Sequence, residues 1–216
     1  MARDQFQQNL ETLKGFVSEM GKLSHEAIVN SIRVLESQDS ELAEKIRNDD
    51  EIIDDFELKI EKCSTQLIAR QNPTAGDMRL IISCFKIAID LERMSDLAVD
   101  VSNIANCMEK KNTDTIDDIL KMADICEEML QQAISAFETL DQELAKSTAL
   151  KDDELDKLFY ATHNKLIEMM VEDNSLINCA SHLLLVLRYL ERMGDHACNI
   201  CESIVYMTEG KRVNLN

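Results

Sequence analysis

The sequence predicts an all-α protein made of two pseudo-symmetric antiparallel three-helix bundles. Three observations carry that expectation. The 216 residues include one proline, Pro73, and five glycines, too few breakers for anything but long helices joined by short loops. Apolar residues recur at three-and-four spacing, the period of an amphipathic helix, while alternating β-branched and aromatic runs are missing, so strands are not expected. The chain also repeats itself: Leu91-Glu92-Arg93-Met94-Ser95-Asp96-Leu97-Ala98 matches Leu190-Glu191-Arg192-Met193-Gly194-Asp195-His196-Ala197 at six of eight positions.

The elements follow in order. Leu13, Phe16, Val17, Met20, Leu23, Ala27, Ile28, Ile32 and Leu35 mark a first helix over about residues 6–37. Asp39 or Ser40 is placed to cap the second, which carries Leu42, Ile46, Ile53, Phe56, Ile60 and Leu67. That helix must stop near Gln71-Asn72-Pro73, because proline disfavours helix for the residue before it. Thr74 followed by Asp77 resembles a capping box that opens a third helix, running to about Met108. The pattern restarts after Lys110-Lys111-Asn112-Thr113-Asp114, with helices over about 115–140, 152–172 and 174–209. Lys146 to Asp153 is expected to be a polar, at most partly helical, interruption. The repeat covers nearly the whole chain: Asp39-Ser40-Glu41-Leu42-Ala43 aligns with Asp141-Gln142-Glu143-Leu144-Ala145, 102 residues on, and so do Met20 with Met122 and Asp54 with Asp156. The expected units are residues 1–110 and 111–216.

Composition narrows the function. A formal net charge of −18 repels nucleic acid and anionic lipid and suits cations or a basic partner surface. No apolar run of about 18 residues occurs, so no membrane span is expected. The N-terminus lacks an apolar signal core, and the chain reads as cytoplasmic. The seven cysteines fall in apolar helical stretches and read as small buried groups in a reducing compartment. Cys198 and Cys201 form a lone CxxC, without the βαβ context of a redox motif or the second pair of a zinc site.

The duplicated acidic motif is the candidate site. At about 100° per residue, positions i, i+4, i+8 and i+11 stay within about 80° of arc. These are Glu92, Asp96, Asp100 and Asn103 in one half, and Glu191, Asp195, Asn199 and Glu202 in the other. Both helices are apolar on nearly all faces, so the rows are hard to explain as solvated. Buried, unpaired carboxylates are costly. Arg93 and Arg192, with Arg79 and Arg188 nearby, partner helices, or bound cations are the possible compensation. Oxygen-rich rows suit iron, manganese, magnesium or calcium. Asp54 and Asp156 occupy equivalent places on neighbouring helices and would complete each site, with Glu57 in the first half only. Glu-x-x-His spacing is missing, which counts against an oxygen-activating di-iron enzyme. His196 points about 100° away from Asp195 and reads as a surface or interhelix histidine. No phosphate loop or nucleophile motif occurs, and no catalytic residue is expected.

These residues resemble the PhoU family of phosphate-uptake regulators. The likeness rests on Ile68-Ala69-Arg70-Gln71-Asn72-Pro73-Thr74-Ala75-Gly76-Asp77-Met78-Arg79, on Asp90 to Ala98, on Met170-Val171-Glu172-Asp173, on Leu190 to Glu202, and on Tyr206 and Gly210. The resemblance implies two three-helix bundles and multinuclear iron or zinc, or other divalent cations, at Glu92/Asp96 and Glu191/Asp195, with Asp100 and Asn199 one turn on. Ser95 departs from the family's usual glycine, and Asp100 from its common asparagine. The implied role is regulatory: a homodimer linking the ATPase subunit of a phosphate ABC transporter to a sensor histidine kinase, and restraining both when phosphate is plentiful. The alternatives are a carboxylate-bridged metal hydrolase or oxidoreductase, and a metal-storage protein.

Overall fold

Helix ends are where the sequence signals turn into hydrogen bonds. In the computed structural model, described over residues 2–108 and 113–215, helix α1 (Ala2–Ser37) gives way to α2 (Ser40–Gln71) at Asp39. The Asp39 carboxylate accepts from the backbone N–H groups of Glu41 and Leu42 at 3.0 and 3.1 Å. Asn72, in the left-handed region at φ 44°, and Pro73 end α2. The capping box then opens α3 (Ala75–Cys107): the Asp77 N–H donates to Thr74 Oγ1, and the Thr74 N–H donates to Asp77 Oδ2. Of the break expected over Lys110–Asp114, residues 110–112, with the boundary between the two units, lie outside the described residues.

The second half follows the same plan with one break. After α4 (Thr113–Thr139), Asp141 caps α5 (Gln142–Ala149) as Asp39 caps α2. Helix α6 (Asp152–Glu172) follows at once. The stretch Lys146–Asp153 is therefore helical on both sides of a narrow kink. At the kink Thr148 Oγ1 donates back to the Leu144 carbonyl at 2.7 Å, and the Lys151 N–H closes a tighter turn onto the Thr148 carbonyl. A 3₁₀ turn (Asn174–Leu176) leads into α7 (Ile177–Glu209), which ends at Gly210, φ 73°.

Packing confirms the duplication. α3 and α7 lie along each other as a central pair. α1 and α2 cover α3, while α4, α5 and α6 cover α7, and α1 also meets α4. The repeat-related Met20 and Met122 are both fully buried, as are Met94 and Met193. Among the described residues there is no strand, and no helix is long and apolar enough to cross a membrane. Burial pushes the Cys84 and Cys201 thiols up to about 12, and raises those of Cys126 and Cys198 as well, so all four sit as inert apolar groups.

The close fit of α6 on α7 depends on Gly194. A Cβ there would stand 2.3 Å from Leu155 Cδ2 and 2.7 Å from Asp152 Oδ1. Gly15, mid-helix in α1, has nothing within 4 Å of the same position. Gly194→Ala is expected to lower stability in urea unfolding by about 1–3 kcal/mol through overpacking. Gly15→Ala is expected to raise it by about 0.5–1 kcal/mol, the helix-propensity difference. A neutral Gly194→Ala would show that α6 does not rest on this spot.

Candidate functional site

The apolar faces of α3 and α7 turn inward, which leaves the acidic row of each helix at its border with a covering helix. In the first half, Glu92 and Asp96 on α3 meet Asp50, Asp54 and Glu57 on α2. Glu92, with 15% of its side chain exposed, is pushed up to about 7. Burial is the main cause, followed by repulsion from Asp96, against which Arg93 pulls, and then from Glu57 and Asp54. Asp54 and Glu57 are raised too, chiefly by burial, then by Asp96 and by Asp54 respectively. Arg93 supplies partial relief: its Nε is 3.4 Å from Glu92 Oε2 and its Nη1 3.1 Å from Asp96 Oδ2.

In the second half, Glu191 and Asp195 on α7 meet Asp152 and Asp156 on α6. Asp152 is 5% exposed. Burial, then Asp156, Asp195 and Glu191, drive it up to about 6. Glu191 is raised by burial first and Asp195 next. The arginine here is Arg188, whose Nη1 lies 2.6 Å from Glu191 Oε1. Arg192, the repeat partner of Arg93, forms no ion pair among the described residues. Glu191 Oε2 is buried with no hydrogen-bond partner.

Asp50 and Asp152 are functional candidates that the sequence reading passed over. They sit four residues before Asp54 and Asp156, again 102 residues apart. The α2 and α6 motifs are therefore Asp-x-x-x-Asp rows facing the Glu-x-x-x-Asp rows, and that spacing was visible. The two halves treat this carboxylate differently, half-buried as Asp50 and buried as Asp152. Ser95 Oγ donates to Asp50 Oδ1 at 2.6 Å. Gly194 stands at the equivalent place, so Asp152 has no such donor. Asp152 instead occupies the first turn of α6, where the free N–H groups favour negative charge.

Asp100 and Asn199 are not brought to the clusters. They are the i+8 positions, at the far edge of the 80° arc, about 80° round from the glutamates. That edge faces the other central helix. Asp100 accepts a hydrogen bond from Tyr189 on α7 and helps raise that phenol, after burial. Asn199 Nδ2 donates to Asp90 on α3 at 3.2 Å. Asn103, back near the glutamate's direction, accepts from Arg47 of α2 at 2.8 Å. His196 is an interhelix histidine, its Nδ1 3.0 Å from Asp90 Oδ1.

Among the described residues no three His, Cys, Asp or Glu side chains are already gathered as a metal-ligand set. The donors are nonetheless of the right kind: oxygens in excess of local positive charge, with Glu191 Oε2 lacking a partner. The guanidinium side chains of Arg93 and Arg188, at 54% and 55% exposed, are free to leave for water and yield the carboxylates to a cation.

Glu92 and Asp152 bind a proton more tightly in the folded chain than in the unfolded one. Folded protein then carries the extra protons between about pH 4 and pH 7, and stability falls as pH rises through that window. Metal-free protein is expected to melt at a higher temperature at about pH 5.5 than at about pH 7.5. Glu92→Gln combined with Asp152→Asn is expected to flatten that slope in thermal denaturation. A slope unchanged in the double variant would remove these two residues as its source.

Comparison with known proteins gives a consistent result. A family model described as PhoU domain matches residues 17–105 and 119–204, once per half. The chain is 36% identical to a phosphate-specific transport system accessory protein PhoU homolog of Clostridium acetobutylicum, over 100% of both chains. It is 37% identical to one from Aquifex aeolicus, over 94% of this chain and 93% of the relative. The crystal structure of PhoU from Pseudomonas aeruginosa superposes with a TM-score of 0.92 at 33% identity, covering 95% of this chain and 100% of the other. The phosphate transport system regulatory protein PhoU from Streptococcus pneumoniae gives 0.89 at 30% identity, over 96% and 99% of the two chains.

Proposed function

The chain belongs to the PhoU family, and from that premise we propose that it is a cytoplasmic accessory regulator of a phosphate transport system. It acts as a homodimer, docks on the ATPase subunit of a phosphate ABC transporter and on a sensor histidine kinase, and restrains both when phosphate is plentiful. Relatives named for that system match over more than nine-tenths of both chains, and a net charge of −18 favours docking on basic surfaces.

The observation that carries the metal part of this reading is the buried, partnerless Glu191 Oε2 in a cluster short of positive charge. Glu92, Asp96, Asp50 and Asp54 are the residues to hold a cation in one half, and Glu191, Asp195, Asp152 and Asp156 in the other. Iron or zinc, or another divalent cation, would supply compensating charge there. The residues do the rest. Each cluster spans two helices, so relief of its repulsion clamps α2 to α3 and α6 to α7, and stiffens the acidic face offered to partners. In this reading the carboxylates hold charge and position and transform no substrate.

Untagged protein prepared without chelator is expected to contain several equivalents of metal by elemental mass spectrometry. Glu92→Ala combined with Glu191→Ala is expected to lose most of it while keeping its helical circular dichroism. Full metal content in that variant would sink the ligand assignment. Pull-downs with the transporter ATPase and the sensor kinase test the docking; capture of neither removes the accessory reading.

A further inference from the structure

A groove of about 390 Å³, lined by none of the carboxylates of the two acidic clusters, lies between α3 and the C-terminal part of α7. Its outer wall is the chain after Gly210. The left-handed turn at Gly210 sends the tail back along the bundle, where Val213 and Leu215 pack on the core. The Leu215 N–H donates to Glu202 Oε1 at 2.9 Å, and the Arg212 guanidinium sits 5.9 Å from the centre of the Tyr206 ring.

The charges in this groove are unevenly satisfied. Asp90 already receives hydrogen bonds at its Oδ1 from His196 and Asn199, and Glu202 from the tail. Lys86 and Arg212, by contrast, pair with no carboxylate among the described residues. The chain has 41 acidic and 23 basic side chains, so acceptors are plentiful. Two cations left over in one concavity, beside apolar Ile82, Ile89 and Val213, are the features expected of a small-ligand site: an apolar wall with a few convergent polar groups. The volume also falls in the range of such sites.

We propose that the groove binds a small organic anion, a phosphate monoester or a carboxylate. Lys86 and Arg212 hold its charged head, and its apolar body rests on Ile82, Ile89, Val213 and the Tyr206 ring. The proposal is independent of metal at the acidic clusters, which involve other side chains.

Calorimetric titration of the full chain with phenyl phosphate and with benzoate tests it, and inorganic phosphate serves as the probe without an apolar body. At least one organic anion is expected to bind saturably, and the tighter of the two identifies the headgroup. Lys86→Ala and Arg212→Ala are each expected to weaken that binding about tenfold, the scale of one charge-assisted hydrogen bond. Both side chains are exposed, so the variants should keep the wild-type circular dichroism. Saturable binding of neither organic anion overturns the proposal. So does unchanged binding in the folded double variant, or inorganic phosphate binding as tightly as phenyl phosphate.

Discussion

Repulsion among carboxylates that cannot leave the core's edge is the constraint around which the molecule is arranged. Glu92 and Glu191 sit on α3 and α7, the two helices that hold the halves together. Neither helix can rotate to expose its acidic row without withdrawing Leu91, Met94, Leu190 or Met193, all of them buried. Apolar burial of side chains this size is worth about 1.5–3 kcal/mol each, against a few tenths for a like-charge pair along an exposed helix. Packing therefore wins, and the acids stay where the core puts them. The surroundings then do what they can: two arginines reach in from solvent, a serine donates to one aspartate, and a helix start accommodates another.

Most of the architecture was legible because helices announce themselves locally. Three-and-four spacing, Asp39 before a helix, Pro73 after one, and the Thr74/Asp77 pair are short-range signals; the first and third set where helices run and stop, and the other two became hydrogen bonds. The α5–α6 kink was harder to read. Lys146 to Asp153 is polar enough to look like a loop, and the break is a single tightened turn in which the Lys151 N–H reaches the Thr148 carbonyl. The candidate site was legible to one helical turn. Helical geometry put Glu92, Asp96 and Asp100 on a common arc, but the arc is wider than the contact with α2, and only the position of α7 shows where it is cut. Asp50 and Asp152 carried the same spacing and the same repeat offset as Asp54 and Asp156; the burial that makes them matter, partial at Asp50 and nearly complete at Asp152, is a tertiary fact.

The two halves also reach one arrangement by different chemistry. One half-buried aspartate, Asp50, accepts a hydrogen bond from a hydroxyl of the facing helix. The other lies under the bare backbone of Gly194, where a Cβ would crowd it, and is left at the start of a helix. Burial raises both, but only at Asp50 does a hydroxyl work against the rise. The arginine attending each glutamate differs too: Arg93 from within the motif, Arg188 from a turn before it.

That divergence has a consequence for how such a chain can change. A duplicated gene ordinarily stays open to exchange between its copies, each serving as a template for the other. Here the exchange carries a cost at the position shared by Ser95 and Gly194. A serine copied into the second half would push Leu155 and Asp152 aside, and a glycine copied into the first would strip Asp50 of its donor. The two halves share a plan, but at this position each sequence is fitted to its own neighbours, and a swap would cost both.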